Sequence, residues 1–186
     1  MAMNDIYKIF IKIYYKILKI YWYFFVRLYL KLNNVHYGKR CKFYGFPIIQ
    51  LGKKSKIIIG NRVVLCSDSR FTQLGISHPV ILKTSDGGVI DIEDDVGISG
   101  ATIYADQFIK IGKECLIGAD VKIFDTNFHS LKIENRRYNK NKEDISSKGI
   151  TIEKNCFIGT NAIILKGSML SKNTVVPAGT VIRNEK

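Results

Sequence analysis

Three histidines, four cysteines and scattered carboxylates are the groups in this 186-residue chain that could move protons, hold a metal or act as nucleophiles. His36, His78 and His129 lie 42 and 51 residues apart, so they offer no clustered set of zinc ligands. Cys41, Cys66, Cys115 and Cys156 are too few and too dispersed for a disulfide framework or a thiolate metal site. His36 reads as a capping or packing residue, and His78, held extended by the following Pro79, as a structural one. His129 stands apart. It closes the stretch Asp125-Thr126-Asn127-Phe128-His129 at the start of a long polar segment, and it is the candidate general base. An imidazole, with an ordinary pKa of about 6.5, can take a proton from a hydroxyl near neutrality. It needs an acceptor to fix its tautomer, and Asp125 is the carboxylate nearest in sequence.

A repeat must position these groups. Ile152, Ile158, Ile164, Leu170, Val176 and Ile182 recur every six residues, and four positions after the first five stand Cys156, Ala162, Ser168, Thr174 and Thr180. A six-residue period suits neither a helix nor a hairpin meander; it describes a solenoid, one short strand and one turn per unit. The aliphatic residue points into a shared interior and the small one fits the corner. The phase is traceable upstream through Ile111 and Ile117 with Cys115 and Val121, Ile92 and Ile98 with Val96 and Thr102, and Ile59 and Leu65 with Val63 and Ser69. Gly60, Gly112, Gly118 and Gly159 follow the aliphatic residue, where a turn backbone barred to other residues is expected. The order breaks over residues 70–90, read as a loop or loose coil, and over 124–149, read as a polar loop projecting from the solenoid.

Across roughly residues 57–185 these units resemble the hexapeptide-repeat acyltransferases, which implies an all-β, left-handed parallel β-helix. The likeness is nearest to the O-acetyltransferase branch, with its maltose-, galactoside- and polysaccharide-modifying enzymes. There a histidine follows paired Ile-Gly repeats at about this distance, as His129 does, and an acidic residue is often found on the preceding coil, where Asp106 stands. The resemblance implies acetyl-CoA as donor and direct attack by a sugar hydroxyl, without a metal or a covalent enzyme intermediate. It implies a coenzyme slot along the C-terminal coils: Phe157 in place of the common tryptophan, then Gly159, Thr160, Ala178 and Gly179, with Lys166 and Arg183 for the phosphates. One solenoid offers a thin cofactor a single wall, so a homotrimer is expected. N-acetylation of an amino or nucleotide sugar, serine acetylation, and a silent scaffold stand as alternatives.

A net charge of +13 calls for an anionic partner, but the chain carries no helix-turn-helix, zinc-finger or RNA-recognition signature, which argues against nucleic acid. Residues 5–32 contain no Gly or Pro and place Lys8, Lys12, Lys16 and Lys19 along one stripe of a helix otherwise rich in Ile, Tyr, Phe and Leu. The longest uncharged run, Ile20–Val26, is far short of the roughly 20 residues that cross a bilayer. The helix either packs on protein or lies on an anionic membrane surface. The expected organisation is therefore an amphipathic helix over residues 1–32 and an acyltransferase domain over 33–186, cytoplasmic or peripheral on the inner membrane face, with a free or lipid-linked sugar as acceptor.

Overall fold

The structure, a computed structural model, describes residues 3–134, 136–139 and 141–183; the outermost residues of the two expected segments, 1–2 and 184–186, lie outside them. Among the described residues eighteen short strands form three six-stranded parallel sheets, the walls of a triangular left-handed β-helix of six coils. The first sheet stacks His36–Tyr37, Lys56–Ile59, Val89–Ile92, Phe108–Ile111, Ile150–Ile152 and Met169–Leu170. The second stacks Lys42–Tyr44, Val64–Cys66, Gly97–Ser99, Leu116–Ile117, Phe157–Ile158 and Val175–Val176. The third stacks Ile48–Gln50, Ile81–Thr84, Thr102–Ala105, Lys122–Phe124, Ile163–Leu165 and Val181–Ile182.

The six-residue phase becomes interior ladders. On the first wall Ile59, Ile92, Ile111, Ile152 and Leu170 are in register, and on the second Leu65, Ile98, Ile117, Ile158 and Val176. All ten are buried. The corners hold Val63, Val96, Cys115, Val121, Cys156, Ala162 and Ser168, also buried. Two expected corner residues are displaced. Ser69 is exposed, because the chain leaves the coil after Cys66 for a 3-10 turn at Ser69–Phe71. Ala101 takes the corner expected of Thr102, which begins a strand instead. The gap read over 70–90 is shorter than expected: Ile81–Thr84 and Val89–Ile92 are regular strands, hidden because Leu82 and Ile90 stand eight apart rather than six.

The glycines have a different job from the one expected. Gly60, Gly112, Gly118 and Gly159 have ordinary backbone; the left-handed conformation falls two residues later, on Arg62, Glu114, Asp120 and Asn161. What these glycines avoid is the next coil. A Cβ on Gly112 would stand 2.7 Å from the Glu153 carbonyl carbon, and one on Gly159 2.5 Å from the Ala178 nitrogen.

Among the described residues one α-helix, α1 (Met3–Leu32), lies against the first coil. Leu18, Trp22, Val26 and Leu30 recur at helical spacing and join the solenoid core beside Phe43 and Ile49. Polar contacts fix the helix in place. Arg27 donates to the Cys41 carbonyl at 2.6 Å, and the Ile49 N–H donates to the Tyr29 hydroxyl at 3.3 Å. Phe71 packs edge-on to Trp22 and stacks on Tyr44, so the detour after Cys66 clasps the helix.

Candidate active site

The long loop over residues 125–149 is pinched at its base. Thr126 pairs with Ser147 in an antiparallel bridge, the Asn127 N–H donates to Ser146 and the Lys148 N–H to Asp125. Asp125 is fully buried, and its carboxylate accepts three backbone N–H groups: Asp106 at 2.6 Å, Gln107 at 2.8 Å and Phe108 at 2.8 Å. Burial pushes its carboxyl above the usual range while the three amides pull it back. Both oxygens are thus committed to the turn that begins the next first-wall strand, and neither bonds His129. Asp125 serves as an anchor of the loop root rather than the expected partner of the imidazole.

His129 is exposed at the mouth of a cavity of about 380 Å³, lined also by Ser85, Tyr104, Asp106, Phe128 and Arg137. It is presented by strain: Phe128, immediately before it, has φ of +61°, a conformation costly for a bulky side chain and concentrated at functional sites. The Phe128 ring is held there by Tyr104, 4.8 Å away, and Phe124, 5.5 Å away. Asp106 shares the cavity, with its carboxylate accepting from the Ser85 hydroxyl at 2.6 Å. Burial, then the charges of Asp106 and Asp125, raise the Tyr104 phenol. Among the described residues no hydrogen bond holds the imidazole side chain, which leaves both ring nitrogens to an incoming group.

A second, larger cavity of about 620 Å³ runs along the corner between the second and third sheets. Four residues expected at the coenzyme, Phe157, Gly159, Thr160 and Ala178, line it with Gly118 and Val176, and Thr72–Leu74 form its lip. The Thr160 hydroxyl is engaged, donating to the Ala119 carbonyl at 2.7 Å. Gly179, also expected there, lies just behind: it has φ of +69° and donates its N–H to the Thr160 carbonyl. Lys166 and Arg183 are elsewhere. With Phe124, Thr126, Asn127 and Leu165 they line a hollow of about 140 Å³ next to His129, and Lys166 donates to the Ser146 hydroxyl at 3.0 Å. The expected site residues therefore fall at two corners of one solenoid, with the third sheet between them. Ser85, Tyr104, Phe128 and Arg137 were not singled out from the sequence. Tyr104 is two residues before Asp106 on a strand, a legible spacing, whereas Arg137 sits in an aperiodic loop that gives no signal.

Among the described residues no group of three or more His, Cys, Asp and Glu side chains is placed to hold a metal. The family model for the hexapeptide repeat of succinyl-transferase matches residues 108–123 and 149–183. No curated protein sequence matches the chain. Among solved structures it is similar to two point mutants of AntD, an N-acyltransferase from Bacillus cereus, in complex with dTDP-4-amino-4,6-dideoxyglucose and coenzyme A. One shares 13% identity over 86% of this chain and 79% of that one, with a TM-score of 0.54. The other shares 14% over 84% and 78%, with a TM-score of 0.55. The matched hexapeptide repeats and the three stacked parallel sheets make the chain a left-handed parallel β-helix.

Proposed function

We propose that the protein transfers the acetyl group of acetyl-CoA to a sugar hydroxyl on a polysaccharide or lipid-linked precursor. The observation that carries this reading is the placement of His129 by the left-handed Phe128 at the mouth of a polar cavity, with a long apolar groove on the neighbouring corner. The acceptor oxygen attacks the thioester carbonyl carbon as His129 takes its proton. The carbon–sulfur bond then breaks, and the imidazolium returns the proton to the departing thiolate. Asp106, Ser85 and Arg137 offer hydrogen bonds to acceptor hydroxyls or an acidic group. The pantetheine lies along Phe157 and Thr160, and Lys166 and Arg183 pair with coenzyme phosphates.

Lys166 and Arg183 share the corner of His129, across the third sheet from the groove, and its strands span about 10 Å. One chain therefore offers a coenzyme only part of its contacts, and we assign the rest to a neighbour in a homotrimer. An outward row of Leu116, Phe157 and Val175, 56%, 48% and 65% exposed, supports such a contact. N-acetylation of an amino sugar is the second reading, favoured by the aminosugar nucleotide bound in AntD. Incubating the protein and acetyl-CoA with free, nucleotide-linked and lipid-linked sugars, with and without amino groups, tests both: thiol release with an acetyl ester supports the first, an amide the second, and no release with any acceptor refutes both. Light scattering that finds an active monomer refutes the trimer.

A further inference from the structure

The transferase reading leaves α1 unexplained. Its inner stripe is spent on the first coil, yet its opposite side is equally apolar. Ile6, Phe10, Ile13, Ile17, Phe24 and Leu28 follow one another at helical spacing on the solvent side, each between 42% and 66% exposed. At 30 residues the helix is about 45 Å long, so the bare face is far larger than a scattered surface hydrophobe. Its composition suits an interface rather than a crossing: Tyr7, Tyr14, Tyr21 and Phe25 border the aliphatic row, and among the described residues no helix is long and apolar enough to span a bilayer.

The charge of the molecule is concentrated at the same end. Residues 6–67 hold thirteen Lys and Arg and no Asp or Glu, whereas residues 68–186 hold sixteen basic residues against fifteen acidic. With Asp5 of α1 counted, the helix, the first two strands of the first and second walls and the first strand of the third carry +12 of the net +13, so almost all the charge sits at the helix-bearing end of the solenoid. Lys16 and Lys31 are exposed beside the bare face. Lys8 and Lys12, each 18 residues before a buried residue of the inner stripe (Val26 and Leu30), are exposed on the inner side, and Lys39, Arg40, Lys42, Lys53, Lys54 and Lys56 are exposed on the coils beneath. An apolar helix face flanked by Lys16 and Lys31 and backed by a one-signed field matches an anionic bilayer, acyl chains below and lipid phosphates beside the cations. A second copy docking helix to helix would instead bring these cations together.

We infer that α1 docks the protein flat on an anionic lipid surface through its outer face, with the solenoid on the water side. The proposal is independent of the reaction and rests on no assay of it. The test is cosedimentation of the full-length protein with phosphatidylcholine vesicles, with and without phosphatidylglycerol. Binding to the anionic vesicles that weakens at high salt is expected. Replacing Lys16 and Lys31 by Gln should lower that partition by about twenty-five-fold, since each cation contributes about fivefold. Replacing Phe10, Ile17 and Phe24 by Ser should abolish sedimentation while circular dichroism still reports an intact β-helix, because the inner stripe is untouched. Three outcomes overturn the inference: no binding to anionic vesicles, binding indifferent to the lysine changes, or a Ser variant that binds vesicles normally but drops in oligomeric state by light scattering. The last would show that another copy covers the face.

Discussion

Asp125→Ala separates an anchoring role for this carboxylate from a catalytic one. The side chain is fully buried and takes three backbone N–H groups, one on one oxygen and two on the other. Alanine leaves all three donors without an acceptor. Each orphaned donor costs about 1–3 kcal/mol, and the part-buried setting of these amides favours the lower end, so a loss of about 3 kcal/mol is expected. For a chain of this length that corresponds to a fall in Tm of about 6–12 °C. Asp125→Asn should cost less, about 1–2 kcal/mol, if its amide group turns toward the single Asp106 N–H and its oxygen keeps the other two. Thermal unfolding followed by circular dichroism gives the order wild type, Asn, Ala. If Asp125 instead oriented His129, Asn would leave Tm nearly unchanged and cut turnover steeply; that pattern, or an Ala variant within about 1 kcal/mol of wild type, would refute the anchoring argument.

Other consequences are as concrete. His129→Ala should lower turnover by about 10²–10⁴ while the KM for acetyl-CoA barely moves, which steady-state kinetics on the true acceptor will show. Gly112 and Gly87 should respond oppositely to asparagine. At Gly87, with φ of +83° and nothing within 4 Å of an added Cβ, asparagine should cost under about 1 kcal/mol because it tolerates the left-handed region. At Gly112, where a Cβ meets the Glu153 backbone, asparagine should cost about 1–3 kcal/mol or more, as overpacking does; denaturant titration compares the two. All four cysteines are buried, and burial pushes the Cys115 thiol up to about 11. A thiol reagent at neutral pH should therefore find none in the folded protein and all four after denaturation.

The six-residue phase was legible because a solenoid repeats one local environment: each coil meets only its neighbours, so a position and its fate recur together. That is why Ile152 to Val176, with Cys156, Ala162 and Ser168, could be placed inward without coordinates. The turn glycines show the limit. Sequence marks them as special but cannot say whether the demand is on φ or on space, and only the stacking of Gly112 on Glu153 and of Gly159 on Ala178 reveals that it is space. The site follows the same division. Periodicity located the root of the loop, where the repeat stops, whereas the groove along Phe157, Gly159, Thr160 and Ala178 was expected only from the family resemblance. Residues brought together across coils carry no such mark: Asp125 looked like a partner for His129, four positions away, and the fold gave both its oxygens to amides seventeen to nineteen residues earlier. Likewise Lys166, close in sequence to the groove residues, turns a corner of the triangle and joins His129 instead. Distance along the chain predicts distance in space only within one wall; across a corner, the closing of the coil decides.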